Sequence, residues 1–213
     1  MNQYIEHTLL KQDATKSEIK KLLDEAKEYR FLGVCVNPSW VKFASDYLHG
    51  TDVKVVTVIG FPLGQTTTEA KVLETIDAVK NGADEIDMVL NAGKLKDGED
   101  EFIINEISSI KGASQGKNLK VILETDLLTQ EEIKHACELS IKGGADFVKT
   151  STGFVKNGVG AKAEDVKLMY GTVHAAGLGV KASGGIRDKE AAEKMIKAGA
   201  TRLGTSSGVK ICL

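Results

Sequence analysis

The chain has 213 residues, with 28 Lys and Arg against 30 Asp and Glu, so its charge is nearly balanced. This balance gives no electrostatic footprint for nucleic acid or a membrane surface, and no apolar run approaches the length of a membrane span. The first residues lack the basic and apolar regions of a secretory signal peptide. The three cysteines, Cys35, Cys137 and Cys212, match neither a disulfide framework nor a zinc site. We therefore expect a cytoplasmic protein that binds neither nucleic acid nor membrane.

Short apolar segments alternate with amphipathic segments along the whole chain. The apolar segments are rich in Val, Ile, Leu and Met with little polar alternation, which is typical of parallel strands covered on both faces. These predicted strands are residues 4–8, 33–37, 53–59, 85–90, 119–124, 146–149, 179–182 and 201–204. The amphipathic segments predict helices over residues 16–30, 39–48, 69–80, 99–110, 130–142, 163–174 and 189–197.

Several of these helices carry signals at their ends. Thr15 with Glu18, and Thr129 with Glu132, form capping-box patterns, and Asp188 is a cap residue before the helix that follows it. Similar tetrapeptides containing glycine or alanine join a helix to the next strand at 81–84, 143–146 and 198–201. One junction used three times indicates repeated β-α units rather than two unrelated domains.

Eight strands that alternate with about as many helices fit a (β/α)8 TIM barrel, which we expect to form a single domain over residues 1–213. A doubly wound open sheet shows the same alternation, but no Gly-x-Gly-x-x-Gly fingerprint follows an early strand. Polar residues recur near the carboxyl ends of the predicted strands, where a barrel carries its chemistry. They are Glu6, Asn37, Asp87, Glu124, Lys149, Lys181 and Ser206. Their distribution favours the barrel.

Lys149 is the first candidate catalytic residue, at the end of an apolar strand. Burial disfavours an ammonium group, and a lysine with a lowered pKa has a free amine that can attack a carbonyl. Lys181 has a similar place on the next strand, and neighbouring strands lie about 4.8 Å apart. We expect the two lysines in one pocket, where each disfavours protonation of the other. Alone, Lys149 could also be a strand-end lysine in a structural salt bridge.

Asp87 is the third candidate catalytic residue. Strand alternation puts Glu85 and Asp87 on one face and Ile86 and Met88 on the other. A carboxylate near the two lysines can relay the protons that imine formation and carbon–carbon cleavage require. It could also only neutralise the lysines, and both roles can hold together.

Glycine-containing loops after the late strands predict an anion site. Backbone N–H groups can approach a phosphate closely where glycine leaves room, and a short helix starting near residue 207 would direct its positive end toward it. The loops after the last two barrel strands are the usual phosphate site of this fold. Any single loop could be only a turn. The candidate binding residues are Gly153, Gly184, Gly185, Gly204, Ser206 and Ser207.

The sequence predicts no metal or cofactor site. Its four histidines are scattered and show no paired spacing of the kind that binds zinc or iron. Cys35 lies in an apolar strand without an evident base beside it, which favours a core residue over a nucleophile. Glu124 is either a pocket acid or a hydrogen-bonding strut, and the sequence leaves both open.

Six motifs in chain order resemble those of the deoxyribose-phosphate aldolase family, whose members are Schiff-base (class I) aldolases. The resemblance extends over essentially the whole chain, and six motifs at the family's spacing are far more specific than any one of them. The motifs are EHTLLK at 6–11, VCVNP at 34–38, VIGFPLG at 58–64, EIDMV at 85–89, FVKTSTGF at 147–154 and VKASGGIR at 180–187.

The resemblance implies a (β/α)8 barrel and the reversible cleavage of 2-deoxy-D-ribose 5-phosphate to D-glyceraldehyde 3-phosphate and acetaldehyde. Lys149 corresponds to the family's Schiff-base lysine, and Lys181 to the lysine that lowers its pKa and assists proton transfer. Asp87 corresponds to the acid–base aspartate, and Gly153, Gly184, Gly185, Ser206 and Ser207 to positions that hold the phosphate. The partners are then a sugar phosphate and acetaldehyde, without a cofactor. Because relatives are dimers or larger, we also expect a homo-oligomer.

Three positions depart from the pattern of many relatives. Glu6 replaces a shorter aspartate, which could shift a hydrogen bond in the pocket. Phe154 replaces a lysine that some relatives have near the phosphate. Some relatives also have a longer tail that ends in a tyrosine assisting proton transfer, whereas this sequence stops at Leu213. We expect these departures to affect rate and not the reaction.

Two other functions fit parts of the same pattern. An isomerase or a different sugar-phosphate lyase would keep the phosphate loops but would not release acetaldehyde. A non-catalytic protein that binds a sugar phosphate would show saturable binding without a reactive amine. The second alternative leaves two lysines at adjacent strand ends unexplained.

Overall fold

Eight parallel strands pair in chain order and close into a barrel in the computed structural model, which describes residues 1–213. The strands are β1 (Ile5–Leu9), β2 (Gly33–Val36), β3 (Lys54–Ile59), β4 (Glu85–Val89), β5 (Asn118–Ile122), β6 (Phe147–Lys149), β7 (Gly179–Ser183) and β8 (Arg202–Thr205). The barrel closes because β8 pairs with β1 as well as with β7. The predicted (β/α)8 barrel is therefore confirmed, and the open doubly wound sheet is excluded.

Nine α-helices surround or follow the strands. They are α1 (Lys16–Glu28), α2 (Val41–Leu48), α3 (Thr68–Lys80), α4 (Ala92–Lys96), α5 (Asp100–Ala113), α6 (Gln130–Lys142), α7 (Ala163–Val173), α8 (Lys189–Lys197) and α9 (Gly208–Cys212). Short 3-10 turns lie at Asn2–Tyr4, Pro38–Trp40, Thr125–Leu127 and His174–Ala176. The predicted helices are confirmed within a few residues at each end, whereas the single turn α4 was not predicted.

The helix starts follow from the predicted caps. The Thr15 side chain accepts a hydrogen bond from the backbone of Glu18, whose own side chain accepts the Thr15 N–H, and Thr129 with Glu132 repeats this capping box. Asp188 caps α8 by accepting the N–H of Ala191. Each cap pairs backbone donors that the first helical turn would otherwise leave free, so these helices begin at defined residues.

The two faces of the sheet differ in chemistry. Ile86 and Met88 of β4 point outward into a core of 44 buried apolar residues between the strands and the helices. Asp87 and Glu85, on the opposite face of β4, are buried inside the barrel. The interior also holds a small separate apolar cluster of Leu10, Cys35, Val56 and Val58. The alternation predicted from sequence thus places charged groups inside a closed barrel.

The pairing of strands brings the charged residues together. Lys149 of β6 lies opposite Lys181 of β7, and Asp87 of β4 lies opposite Lys120 of β5. At the closure of the barrel, Glu6 of β1 lies opposite Gly204 of β8. Because all the strands are parallel, these positions face one interior near the carboxyl ends.

No helix in the structure is both long enough and apolar enough to cross a membrane.

Candidate active site

A cavity of about 740 Å³ opens at the carboxyl ends of the strands. Its wall includes the β1–α1 loop, the end of β6 with its following loop, and the loops after β7 and β8. Lys149 reaches this wall with only 3% of its surface exposed. Lys181 and Asp87 are fully buried beneath it. The cavity therefore has one nearly buried amine at its inner end.

Asp87 joins the two predicted lysines. Lys149 Nζ donates to Asp87 Oδ2 over 2.9 Å, and Lys181 Nζ donates to the same oxygen over 2.6 Å. The two nitrogens thus share one acceptor, and the structure brings both lysines and Asp87 together, with Lys149 at the cavity wall and the other two beneath it. The shared carboxylate also offsets the repulsion between the ammonium groups, on which the sequence interpretation had depended.

Glu6 is part of the same cluster. Its carboxylate accepts a hydrogen bond from Lys181 Nζ and is fully buried. Arg202 Nε lies 3.8 Å from the other carboxylate oxygen. The longer glutamate side chain therefore reaches Lys181 directly across the closure of the barrel.

Lys120 is a third buried lysine, which the sequence interpretation missed. Its Nζ lies 2.9 Å from Asp87 Oδ1 and 2.6 Å from Glu85 Oε2. It also lies 3.5 Å from Glu6 Oε1. The available signal was a single charge within the apolar strand 118–122. Lys120 satisfies the Asp87 oxygen that faces away from Lys149.

The interior thus pairs the ammonium groups of Lys120, Lys149 and Lys181 with the carboxylates of Glu6, Glu85 and Asp87. Burial alone would raise the pKa of Asp87, but the three lysines outweigh burial and hold this pKa well below its usual range. Burial would lower the pKa of Lys181, but Asp87 and Glu6 raise it above its ordinary value. Asp87 is therefore a carboxylate and Lys181 an ammonium at neutral pH.

Glu85 lies two residues before Asp87 on β4 and pairs with Lys120. Burial would raise its pKa, but Lys120 and hydrogen bonds from Lys54 and Asn118 lower this pKa to about 2. Lys120 responds in the opposite sense, because Asp87 and Glu6 outweigh burial and raise its pKa. These buried ion pairs hold Glu85 and Lys120 in their charged forms at neutral pH.

Glycines form one side of the cavity. Gly153, Gly184 and Gly185 line it with φ angles of +83°, +84° and +75°, which side chains other than glycine rarely adopt. Gly204 also lines the cavity, and a Cβ atom there would lie 3.0 Å from Lys181 Cε. Gly204 therefore leaves room for the side chain of Lys181 in addition to contributing to the wall.

Ser206 lines the cavity, whereas Ser207 does not. The backbone N–H of Ser207 is donated to Thr205 Oγ1 over 2.9 Å, so it is not free for an anion. The short helix α9 does begin directly after Ser207. Of the six predicted binding residues, the structure places five on one wall and leaves Ser207 behind it.

Glu124 adopts a left-handed conformation with a φ of +62° at the end of β5. One carboxylate oxygen accepts the Thr152 N–H over 3.0 Å, and the other accepts the Thr152 hydroxyl. Thr152 Oγ1 in turn accepts the N–H of Phe154. Both oxygens of Glu124 thus hold the loop after Lys149, which favours the hydrogen-bonding strut over the pocket acid.

Two cations that were not predicted as site residues line the mouth of the cavity. They are Arg187, in the loop after β7, and Lys11, in the loop after β1. Phe154 is 43% exposed and contacts Phe61 edge-on, with the ring centroids 5.1 Å apart. The position that is lysine in some relatives is therefore apolar here, while positive charge enters the cavity from two other loops.

No group of three or more His, Cys, Asp or Glu side chains in the structure is arranged to hold a metal ion. Cys35 is buried in the apolar cluster, and burial raises the pKa of its thiol, as expected of a core residue. An amine in the place of Lys149 can condense with a carbonyl, and the adjoining carboxylate and ammonium can move protons. The fold and this site are therefore compatible with carbonyl chemistry on Lys149.

The chain belongs to the DeoC/LacD family of aldolases, whose model matches residues 1–213. It is 59% identical over 208 residues to the deoxyribose-phosphate aldolase of a Geobacillus species, covering 97% of this chain and 92% of that protein. It is 58% identical over 211 residues to the enzyme of the same name from Clostridium botulinum, covering 99% and 98%.

Solved structures agree with this assignment. An aldolase named QR15 superposes with a TM-score of 0.93 at 44% identity, covering 99% of this chain and 93% of that one. The deoxyribose-phosphate aldolase of Aeropyrum pernix, described as a unique tetramer, superposes with a TM-score of 0.90 at 35% identity, covering 98% and 87%. Both likenesses extend over nearly the whole of this chain.

Proposed function

We propose that this protein is a deoxyribose-phosphate aldolase that cleaves 2-deoxy-D-ribose 5-phosphate reversibly to D-glyceraldehyde 3-phosphate and acetaldehyde. The observation that carries the proposal is the contact of Lys149 Nζ with Asp87 Oδ2 at the inner end of a glycine-lined cavity. The names of close relatives supply the substrate. The substrate has a carbonyl for the amine and a phosphate for the glycine wall.

The cleavage begins when the neutral amine of Lys149 adds to the C1 aldehyde of the open-chain sugar phosphate. A proton delivered to the carbinolamine hydroxyl through Lys181 and Asp87 lets it leave as water, and an iminium ion forms on Nζ of Lys149. The Asp87 carboxylate, which lies 2.9 Å from Nζ of Lys149, stabilises the positive charge of this iminium. This iminium takes up electrons in the place of a metal ion, and the proposed reaction is metal-independent.

Carbon–carbon cleavage follows when a proton leaves the C3 hydroxyl. The C2–C3 bond breaks, its electrons form an enamine on Lys149, and glyceraldehyde 3-phosphate departs. Protonation of the enamine carbon and addition of water then release acetaldehyde. Asp87 and Lys181 relay protons in these steps, because Asp87 Oδ2 accepts from both lysines. Gly153, Gly184, Gly185, Gly204 and Ser206 hold the phosphate, with Arg187 and Lys11 contributing positive charge.

Trapping of the imine tests this mechanism. Incubation with acetaldehyde and borohydride should leave an ethyl group on Lys149, identified by peptide mapping. Lys11 is the internal control, because it lines the same cavity but is largely exposed. Lys149→Leu should abolish both labelling and acetaldehyde release. Normal turnover by this variant, or labelling of Lys11 with Lys149 unmodified, would exclude the mechanism. A panel of phosphorylated sugars separates this reaction from other lyases and isomerases, since only the proposed one releases acetaldehyde.

The proposal includes the setting of the enzyme. One relative of the same family is a tetramer, and we expect this chain to form a homo-oligomer as well. The three cysteines are free thiols, which suits a reducing compartment such as the cytoplasm. Light scattering on the purified protein measures its mass in solution, and the mass of a monomer would contradict the assembly.

A further inference from the structure

Ser151 has a buried hydroxyl group without a hydrogen-bond partner, and it lines the cavity. The residue is only 1% exposed. Its backbone carbonyl accepts the Ser183 hydroxyl over 2.6 Å, so the main chain is held while its own hydroxyl has no acceptor. The other buried or half-buried hydroxyls of the cavity each donate to a protein oxygen, and they belong to Thr8, Thr152, Ser183 and Thr205.

An unpaired buried hydroxyl costs free energy, because it has lost water without gaining a protein partner. Native structures seldom retain such groups without a reason. Only one other hydroxyl in the chain has this status, on Thr125, which does not line the cavity. A ligand in the cavity can pair with Ser151 but not with Thr125. The two residues therefore form a natural test pair.

The position of Ser151 between Lys149 and the glycine loops indicates which group of a bound ligand it contacts. Ser151 follows Lys149 by two residues and precedes Gly153 by two. Its Cβ would lie 3.5 Å from a Cβ built on Gly184, so the side chain abuts the second glycine loop. A molecule bound to Lys149 at one end and to the glycines through its phosphate must pass Ser151. The carbons between those ends of a sugar phosphate carry hydroxyl groups.

We propose that the Ser151 hydroxyl binds the C2 hydroxyl of glyceraldehyde 3-phosphate. This hydroxyl lies on the carbon next to the aldehyde that accepts the new carbon–carbon bond in the synthetic direction. This inference rests on the proposed aldolase function. Rotation about χ1 turns the serine Oγ toward the ligand, and the group can donate or accept. Ser151 therefore selects acceptors that have this hydroxyl over those that lack it.

The experiment measures synthesis from acetaldehyde and two phosphorylated acceptors. One is D-glyceraldehyde 3-phosphate, and the other is 3-oxopropyl phosphate, which has the same chain without the hydroxyl. The wild type should prefer the first acceptor in kcat/KM. In Ser151→Ala the ratio of kcat/KM for the first acceptor to kcat/KM for the second should fall about tenfold, because the enzyme hydroxyl that pairs with the acceptor is removed. Its kcat/KM for 3-oxopropyl phosphate should stay near that of the wild type.

Thr125→Val is the matched control, since it also removes an unpaired buried hydroxyl but outside the cavity. It should leave the preference unchanged, and neither variant should have a lower thermal midpoint than the wild type, because each removes an unpaired buried hydroxyl. Ser151→Ala with an undiminished preference, or with equal losses on both acceptors, overturns the proposal for Ser151. No product from either acceptor with the wild type would instead overturn the aldolase function on which the inference rests.

Discussion

At the residue scale, Asp87 is the group on which the site depends. Its Oδ2 accepts from Lys149 and Lys181, and its Oδ1 accepts from Lys120. A buried carboxylate with both oxygens paired to ammonium groups keeps its charge and its orientation. Lys120 contacts neither the cavity nor Lys149, so its effect on the chemistry passes through the carboxylates that it pairs with, of which Asp87 is the one that contacts Lys149. This makes Lys120 a positioning residue.

Lys120→Met should lower kcat by about 100-fold and reduce the free energy of unfolding by roughly 3 kcal/mol, because it leaves buried carboxylates without their cation. The double variant Lys120→Met/Glu85→Gln should recover stability but not kcat, since Asp87 Oδ1 still lacks its donor. Steady-state kinetics and urea denaturation measure the two effects.

Lys54→Met is the control for Lys120. Lys54 Nζ lies 3.0 Å from Glu85 Oε1, is half exposed, and does not contact Asp87. It should lose little kcat. Full recovery of kcat in the Lys120→Met/Glu85→Gln variant would mean that Lys120 only neutralises Glu85 and does not position Asp87.

At the scale of elements, α3 is tied to α5 and to the end of β4 by one buried ion pair. Lys71 Nζ lies 2.8 Å from Glu106 Oε1 and donates to the Val89 carbonyl over 2.9 Å. Both side chains are fully buried. Burial lowers the pKa of Lys71 and raises the pKa of Glu106, so mutual attraction does not fully offset the desolvation of either group.

Lys71→Met should reduce the free energy of unfolding by about 3 kcal/mol, because Glu106 is left buried and unpaired. The double variant Lys71→Met/Glu106→Gln should cost clearly less than the sum of the two single variants. Denaturant titration of all four proteins gives the coupling. Lys42→Met, at an exposed pair with Asp46 on α2, should change stability by no more than roughly 0.5 kcal/mol. If the losses of unfolding free energy in the two single variants added up to the loss in the double variant, the coupling between Lys71 and Glu106 would be contradicted.

The elements also show what the sequence could predict. Strands with continuous apolar runs and helices with capping boxes were located from local patterns, and the adjacency of Lys149 and Lys181 followed from the order of parallel strands. Lys120 was missed because its partner Asp87 is 33 residues away, and one charge in a strand does not reveal its contacts. Ser207, which does not line the cavity, donates its backbone N–H to the Thr205 side chain, a contact that its spacing in the sequence does not reveal. Such details are set by packing, not by spacing.

At the scale of the whole molecule, the barrel places its apolar core outside the strands and the ion pairs around Asp87 inside. The outer core of 44 residues supplies hydrophobic stabilisation. The interior pairs are costly to bury and contribute stability only while both partners remain charged. The pH range over which the fold is most stable therefore depends on the interior carboxylates at the acid end. Glu85 is an interior carboxylate whose pKa is lowered enough by its partners for this loss of stability to be measured.

The free energy of unfolding should fall as the pH drops from about 4.5 to about 2. The pKa of Glu85 is lowered from 4.5 to about 2 by folding, so its contribution is present above pH 4.5 and is lost as the pH falls through this window. The shift corresponds to roughly 3 kcal/mol, and the lowered pKa of Asp87 acts in the same direction.

Glu85→Gln should therefore be less stable than the wild type at pH 7, and the gap in unfolding free energy between the two proteins should narrow toward pH 2. Glu101→Gln, at an exposed residue of α5 without an ion pair, should track the wild type throughout. Urea denaturation at a series of pH values measures all three curves, and a Glu85→Gln gap of constant size down to pH 2.5 would contradict the interior pairing as its source.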